Sequence, residues 1–186
     1  MSSDPKTVVI RNVRLSFPNL FRPSAAKGKD GQPQGEPVFS SAFILDKKAN
    51  AADIKALEAA VALVKKEKWQ GKPVNMKNKS IRDGAEKAAT EGYGDAIVFI
   101  SARNKRRPMV VDRNPTVPIV EGDPRLFAGC YVNAEVSAWA QDNQFGKGVN
   151  WSLNKVQYVR EGDPFGEGQR PVEESFSNLE EDNSPV

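Results

Sequence analysis

Apolar and polar residues alternate most regularly between Gly129 and Val159, in two runs that a short polar stretch separates. In the first run every second residue is small and apolar: Val132, Ala134, Val136, Ala138 and Ala140. The intervening positions hold Tyr131, Asn133, Glu135, Ser137, Trp139 and Gln141. A period of two predicts a strand with one buried side and one side in solvent. The two runs and the turn formers at 142–148 therefore predict a long hairpin.

The returning run changes its parity partway along. Its apolar residues are, in order, Val149, Trp151, Leu153, Val156 and Tyr158. The last two fall on the opposite parity from the first three, so we expect one extra residue near Asn154 and Lys155. Such a β-bulge bends the strand and increases its twist. A long, bent hairpin of this kind is typical of a small barrel.

Three further strands are predicted upstream, at residues 7–17, 38–45 and 96–102. The first contains another change of parity at Arg11 and Asn12, which predicts a second bulge. Residues 18–23 begin and end with proline and are predicted to terminate this strand. Residues 24–37 are rich in Gly, Pro, Ala and Gln, so they predict a long mobile loop.

One amphipathic helix is predicted between the second and third strands. The apolar residues that recur there at spacings of three and four are Ile54, Leu57, Val61 and Val64. Asn50 is the expected N-cap, and Gly71 is expected to end the helix. An apolar stripe of this kind needs an apolar partner, so we expect the helix to dock on the sheet.

Together these elements predict a mainly β protein, an OB-like five-stranded barrel with one amphipathic helix, long loops and an acidic C-terminal tail. The common OB arrangement places the helix after the third strand, whereas this pattern places it after the second. The pattern leaves open whether a strand pair is missed or the topology is a variant. We expect one folded domain at residues 1–165 and a flexible acidic tail at 166–186.

The residue inventory excludes several kinds of catalytic site. The chain has no histidine and a single cysteine, Cys130. Serine–histidine–carboxylate catalysis, cysteine–histidine catalysis and histidine-ligated metal sites are therefore excluded, and we expect no cofactor. A polar N-terminus and the lack of a long apolar run predict a cytoplasmic protein without a membrane segment.

Charge is distributed unevenly along the chain. Residues 171–186 contain five Asp and Glu and no Lys or Arg. Because the whole chain has 24 acids and 27 bases, the remainder has 19 acids against 27 bases and a net charge of +8. A basic body with an acidic tail favours a polyanionic partner and a tail that competes with it. The alternative is a solvated tail that maintains solubility.

The densest basic segment follows the predicted third strand and contains Arg103, Lys105, Arg106 and Arg107. Like charges at this density repel one another unless a polyanion or nearby acids neutralise them. The irregular segment 72–95 adds further basic candidates, Lys77, Lys79 and Arg82. The alternative interpretation of these residues is an ordinary solvated surface.

Several aromatic residues are predicted to lie among polar or basic ones. They are Tyr131 and Trp139 on the solvent side of the hairpin, Phe145 beside Lys147 in its turn, and Tyr93 in the basic segment. An exposed ring can stack on a nucleobase of any identity. Rings and cations together therefore predict a surface that binds single-stranded nucleic acid. The alternative is that the rings contact a protein partner or a second copy of the chain.

Aspartates allow another alternative, a metal-dependent nuclease, because paired carboxylates with magnesium can cleave phosphodiesters. The candidates are Asp83, Asp95, Asp112 and Asp123. Each lies beside Gly, Pro or Arg in a turn-like segment, where aspartate is common for conformational reasons. We therefore predict a binding protein and not an enzyme.

Several segments together resemble a family of tailed-phage and prophage proteins. They are Arg-Leu-Ser-Phe-Pro-Asn-Leu-Phe at 14–21, residues 105–108 with 110–113, Gly-Cys-Tyr-Val-Asn-Ala at 129–134, and residues 146–156. The family consists of OB-fold single-stranded DNA-binding proteins. The resemblance implies a role in DNA replication or recombination in the cytoplasm of an infected bacterial cell. It also implies a DNA site on the barrel face, which here corresponds to Arg103, Lys105, Arg106, Arg107, Tyr131 and Trp139.

The leading hypothesis is a sequence-tolerant single-stranded DNA-binding protein whose loops 24–37 and 141–148 grip the strand. Comparable acidic tails often finish with an aromatic residue, whereas this one finishes with residues 183–186, Asn-Ser-Pro-Val. Contact with replication or recombination proteins through the tail therefore stays open, with Phe176 or Leu179 as the candidate contacts. Homodimerisation through an edge strand is a further open alternative.

Overall fold

The computed structural model describes residues 4–27, 30–76, 79–144 and 146–165, which form a seven-stranded sheet with one α-helix. In chain order the elements are β1 Thr7–Lys27, β2 Pro33–Asp46, α1 Ala51–Trp69, β3 Arg82–Asp83, a 3-10 helix Gly84–Lys87, β4 Ile97–Asn104, β5 Met109–Val111, β6 Tyr131–Asn143 and β7 Gly146–Arg160.

Five of the strands close into a barrel. β1 pairs with β2 and β6, β2 pairs with β4, and β6 pairs with β7, all in antiparallel fashion. A parallel pairing of β4 with β7 completes the ring, with Ala102 opposite Trp151 and Arg103 opposite Ser152. The prediction of an OB-like five-stranded barrel is therefore confirmed. Because α1 follows the second barrel strand, the topology is a variant of the common arrangement.

The interior of the barrel holds the apolar side of each alternating run. On β6, Val132, Ala134, Val136 and Ala138 are buried, and the residues between them face outward. Trp151 of β7 is also buried, and its indole nitrogen donates to the carbonyl oxygen of Ser80 at 2.9 Å. The segment before β3 is thereby attached to the barrel.

Both predicted bulges are present. The pairing of β1 with β6 shifts between Ile10 and Val13, where Asn12 has a φ of 54°. The pairing of β6 with β7 shifts between Glu135 and Val136, which leaves Asn154 as the extra residue. These bulges bend the two longest strands of the barrel and allow it to close.

The predicted end of the first strand at residues 18–23 is wrong, and so is most of the predicted loop at 24–37. The register shifts after Ser16, and pairing with β2 resumes at Asn19 and continues to Lys27 opposite Pro33. Pro18 lacks an N–H group, and an irregularity in the ladder accommodates it without ending the strand. The segment is therefore a hairpin arm, with paired strands where a loop was expected.

The predicted turn at 142–148 is also shorter than expected. β6 and β7 stay paired from Gln141 opposite Gly148 to Asn143 opposite Gly146. Loop 141–148 is therefore largely the paired end of a hairpin, and the same is true of the arm between β1 and β2. Both predicted gripping loops are built as ribbons that project from the barrel.

Helix α1 packs on β1 and β6 through Leu57, Ala60 and Val64, which are buried. Its docking on the sheet is as predicted, but the side chain of Asn50 makes no capping hydrogen bond. Instead the Asn50 amide accepts from the backbone N–H of Asp46 and donates to the carbonyl oxygen of Arg11, 2.9 Å in each case. In the described part of the chain, no helix combines the length and apolar character that a membrane span requires.

Candidate nucleic-acid interface

A groove crosses the outer surface of β1, β2 and β4. We call it the outer groove, and it is lined by Phe17, Asn19, Ser40, Ala42, Ser101 and Arg103. Its floor contains the small residues Ser40, Ala42 and Ser101. Ala42 lies opposite Ser101 in the sheet, and Ser40 lies opposite Arg103, which borders the floor. Short side chains on the floor leave room for a flat group to approach the strand backbone.

One wall of the outer groove is formed by Phe17, whose ring belongs to an aromatic cluster with Tyr93 and Phe99. The rings of Phe17 and Tyr93 have centroids 6.5 Å apart, and the Phe99 ring meets Tyr93 edge-on at 5.0 Å. The Tyr93 hydroxyl shares a 2.9 Å hydrogen bond with Ser16, and burial raises the pKa of Tyr93. Phe17 is 58% exposed, so its ring is the accessible member of the cluster.

Two cations lie against this aromatic wall. The Lys87 nitrogen lies between 5.2 and 5.7 Å from the centroids of all three rings. The Arg82 guanidinium lies 4.9 Å from the Phe99 centroid and pairs with Glu86 at 2.9 Å. A cation over a ring face is attracted by the quadrupole of the ring, which holds both side chains beside the groove.

The opposite side of the outer groove is basic as well. Arg103 is exposed at the end of β4, and within the described residues it makes no ion pair. A second pocket continues from it past Lys79, Arg82 and Asn150. Ser80 positions this segment, because its hydroxyl donates to the carbonyl oxygen of Val149 at 2.6 Å. Four cations, Lys79, Arg82, Lys87 and Arg103, therefore lie along the groove and the pocket that continues from it.

The other members of the predicted basic run lie near the outer groove but do not line it. Lys105 pairs with Glu36 at 3.0 Å, and both side chains are exposed. Arg106 is exposed, and the Arg107 guanidinium lies 5.1 Å from the centroid of Phe21 on the β1 arm. The run therefore spreads from the groove toward the hairpin arm.

The two predicted aromatics of β6 face outward, as their parity indicated, but they lie away from the outer groove. Trp139 is 41% exposed and shares a pocket with Lys6, Glu67 and Lys68. Tyr131 is half-buried, at the far end of the same strand. The groove and the outer face of β6 are thus two separate aromatic surfaces.

The remaining residues that the sequence predicted for DNA binding lie in different parts of the structure. Lys147 is exposed near the end of the β6–β7 hairpin, opposite Asp142. Lys77 and Phe145 lie outside the described residues. Lys79 and Arg82 are brought together with Arg103 in the second pocket, although up to 24 positions separate them in the chain. Tyr93 lies beside Phe17, with the two ring centroids 6.5 Å apart.

Three of the four carboxylates proposed for the nuclease alternative are engaged by cations and backbone groups, and the fourth, Asp95, is exposed. Asp112 and Asp123 both pair with Arg125, at 2.8 and 2.9 Å. The guanidinium lowers the pKa of both, that of Asp123 to about 2, and the two carboxylates raise the pKa of Arg125. Asp83 accepts from the Ala85 N–H and from Lys47, which together lower its pKa. These three carboxylates have structural partners in the loops that they stabilise.

Sequence reasoning missed Phe17 and Lys87 as site residues. Its parity in the first strand places Phe17 with Val13 and Leu15, which are buried, and Pro18 is expected to end the strand after it. In the structure the Phe17 side chain is instead 58% exposed. The available signal was its place within the segment 14–21 that carries the family resemblance. Lys87 was one of several lysines in an aperiodic segment, and only the 3-10 helix places it over the rings.

A five-stranded barrel with this topology and a basic, aromatic-walled groove defines the class of OB-fold proteins. The chain belongs, more particularly, to the family of the Enterobacter phage Enc34 ssDNA-binding protein, whose model matches residues 6–185. The family resemblance noted in the sequence is thereby confirmed. Membership of a family of DNA-binding proteins also agrees with the expectation that the chain is not an enzyme.

Individual relatives support this assignment. A putative protein p50 of Acyrthosiphon pisum secondary endosymbiont phage 1 is 39% identical over 181 residues, which cover 92% of this chain and 93% of that protein. The single-stranded DNA-binding protein from bacteriophage Enc34, solved in complex with ssDNA, superposes with a TM-score of 0.74 at 28% identity, over 87% of this chain and 90% of that one. The bacteriophage T7 protein gp2.5, a single-stranded DNA-binding protein, shares the fold at a TM-score of 0.51 and 14% identity, over 88% and 96% of the two chains.

Proposed function

We propose that this protein binds single-stranded DNA along the outer groove, without selecting for its sequence. The observation that carries the proposal is the convergence of Lys79, Arg82, Lys87 and Arg103 around a shallow floor beside an exposed ring. The Enc34 relative, which was solved with ssDNA, has the same fold over most of its length. We place the DNA-binding domain at residues 1–165.

The chemistry of the groove suits an unpaired strand. Phosphates carry the charge that the cations neutralise, and their attraction does not depend on base identity. The side chains of Ser40, Ala42 and Ser101 are too short to reach into the major groove of a duplex, where base edges are read. Unstacked bases can instead lie flat against the aromatic wall.

The remaining predicted site residues are assigned to the ends of this path. Lys105, Arg106 and Arg107 extend the basic surface along the β1–β2 arm, and Lys147 extends it along the β6–β7 hairpin. Asn150 lines the second pocket, which continues from the groove, and lies opposite Trp139 in the β6–β7 pairing. A strand that continues across β7 therefore reaches Trp139 only after it has filled the groove.

Fluorescence anisotropy of a labelled oligo-dT across a salt series tests the proposal directly. If about four phosphates are neutralised, the logarithm of affinity should fall with a slope near −3, which is roughly a fiftyfold loss between about 50 and 200 mM salt. A duplex of the same length serves as the control for strand preference, and recovery of intact oligonucleotide excludes cleavage. Absence of binding at low salt, or affinity that does not respond to salt, would overturn the proposal.

We also propose that the acidic tail, residues 166–186, competes with DNA for the basic surface in the cytoplasm of an infected bacterial cell. Residues 171–186 carry five acids and no bases, whereas the rest of the chain has a net charge of +8. Deletion of 171–186 should tighten DNA binding at low salt, because like charges of tail and phosphate repel. Anisotropy with the truncated chain measures this, and unchanged affinity rejects competition. Replication or recombination proteins and a second copy of the chain are the protein partners to assay with the same truncation.

A further inference from the structure

Phe17 has a backbone conformation that its own chemistry disfavours. Its φ is 46°, a left-handed value that costs a bulky residue free energy, and the following Pro18 further restricts it toward extended conformations. Burial does not compensate, because the side chain is 58% exposed. Strained residues of this kind persist where the surrounding fold imposes them, and they cluster at ligand sites.

The strained turn places the Phe17 ring opposite Tyr93. Their centroids are 6.5 Å apart, and the ring planes are inclined by 38°. Because carbon atoms in contact lie about 3.5–4.0 Å apart, a flat group between two rings needs a separation of about 7–8 Å. A small outward rotation of Phe17 is enough to reach that separation.

The two rings differ in how the surrounding residues hold them. Tyr93 is held by its hydrogen bond to Ser16 at 2.9 Å and by the edge of Phe99 at 5.0 Å. Phe17 has solvent on its outer side, and its ring carries no group that could hydrogen-bond to a neighbour. One fixed ring and one accessible ring form an adjustable clamp.

Lys87 completes the arrangement. Its Nζ atom is 5.5 Å from the Phe17 centroid and 5.7 Å from that of Tyr93. Since each distance is well over half of the ring separation, the ammonium lies beside the gap and not inside it. A base held between the rings would therefore have its own phosphate within reach of this cation.

We propose that Phe17, Tyr93 and Lys87 form a site for a single nucleotide, in which the rings clamp the base and Lys87 binds the phosphate. One nucleotide of the strand would then always occupy the same position in the outer groove, whatever its base. This inference rests on the proposed single-stranded DNA binding and adds a defined subsite to it.

Phe17→Trp provides the first test, because tryptophan keeps the stacking surface and reports base contact by quenching of its emission. With the wild-type spectrum subtracted, saturating oligo-dT should quench the added emission, and an abasic oligonucleotide of the same length should not. Val120→Trp is the matched control, since Val120 is 68% exposed and does not line the groove. It should show no base-dependent change.

Phe17→Leu provides the second test. It should weaken oligo-dT binding about 5- to 150-fold, the value of one stacked base, and change affinity for the abasic strand less than twofold. Arg103→Gln is the comparison, because loss of a phosphate contact should weaken both ligands equally. A thermal melt confirms that each variant is folded.

The outcomes separate the subsite from the function. If Phe17→Trp shows no base-dependent quenching while anisotropy still reports saturation, the nucleotide site is refuted and groove binding stands. Equal losses on both ligands for Phe17→Leu also refute it. If the wild-type chain does not bind oligo-dT at all, the proposed function itself fails.

Discussion

The outer groove and the end of the barrel around Tyr131 contain the same ingredients, aromatic rings with cations above them, but use them differently. At the Tyr131 end, Arg160 lies 3.6 Å and Arg14 5.6 Å from the ring centroid. Arg14 also donates to the carbonyl oxygens of Gly129 and Asp163, at 3.2 and 2.6 Å. Its donors are already occupied by the protein. In the groove, Lys87 lies 5.2–5.7 Å from three ring centroids and makes no ion pair within the described residues, so its ammonium group remains available to a ligand.

Backbone packing reinforces this contrast. The chain after β7, residues 161–165, lies against Gly129, and the Phe165 N–H donates to the carbonyl oxygen of Ala128 at 3.0 Å. The Arg14 guanidinium lies 4.1 Å from the Phe165 ring centroid. A segment of the chain itself therefore covers this end, whereas the floor of the outer groove is uncovered. The lesson is that a cation beside a ring marks a ligand site only where the protein has left the donors free.

Removal of the groove cations should have the greatest effect. A triple variant changes Lys79, Arg82 and Arg103 to Gln and so removes three phosphate contacts. It should weaken oligo-dT binding at least about 100-fold and make the salt slope shallower by about 2. The control is a second triple variant, in which Gln replaces Lys48, Lys55 and Lys72. It removes the same charge from exposed positions outside the groove. Equal losses in the two triple variants would show that net charge alone determines affinity.

Gly129→Ala should act on the covered end and leave the groove intact. Gly129 has a φ of 112°, and a Cβ there would collide with the carbonyl oxygen of Asp163. We expect a loss of about 2 kcal/mol in the free energy of unfolding, from strain and displacement of residues 161–165. Gly122→Ala is the control, since Gly122 has a φ of 92° but nothing within 4 Å of the added carbon. Denaturant melts measure both, and an equal cost would mean that the covering segment contributes nothing.

Tyr131→Leu asks whether the Tyr131 ring serves the fold or the DNA. Because two guanidinium groups pack on the ring, we expect a loss of about 1 kcal/mol in stability and an unchanged affinity for oligo-dT. Paired denaturant and anisotropy measurements distinguish the two roles. Weaker binding at unchanged stability would support the sequence-based assignment of Tyr131 to the DNA site.

Trp139→Ala should have the smallest effect, and one that depends on ligand length. Trp139 lies across β7 from the groove, so a strand of about 6 nucleotides should not reach it, and one of about 20 should. We expect unchanged affinity for the short strand and about a fivefold loss for the long one, the low end for one stacked base. A comparable loss with both lengths would place Trp139 at the first point of contact.

Much of the fold follows from local pattern, and much less of the site does. The alternation over β6, the bulge at Asn154 and the helical stripe with Leu57 and Val64 were all predictable, because each reflects the periodicity of one element. The end of β1 was mistaken because Pro18 is accommodated by an irregularity that depends on the partner strand. The position of Phe17 in the groove could not be predicted for the same reason.

By itself the sequence determined which side of β6 faces inward, and it determined the charge asymmetry between body and tail, because both depend on order and composition alone. Tertiary structure decided which cations converge and which rings stay open. The parallel pairing of β4 with β7 brings Arg103 beside Asn150, although 47 positions separate them, and the 3-10 helix carries Lys87 over Phe17. These residues become neighbours only when the barrel closes, and the spacing of apolar residues along the chain does not indicate it.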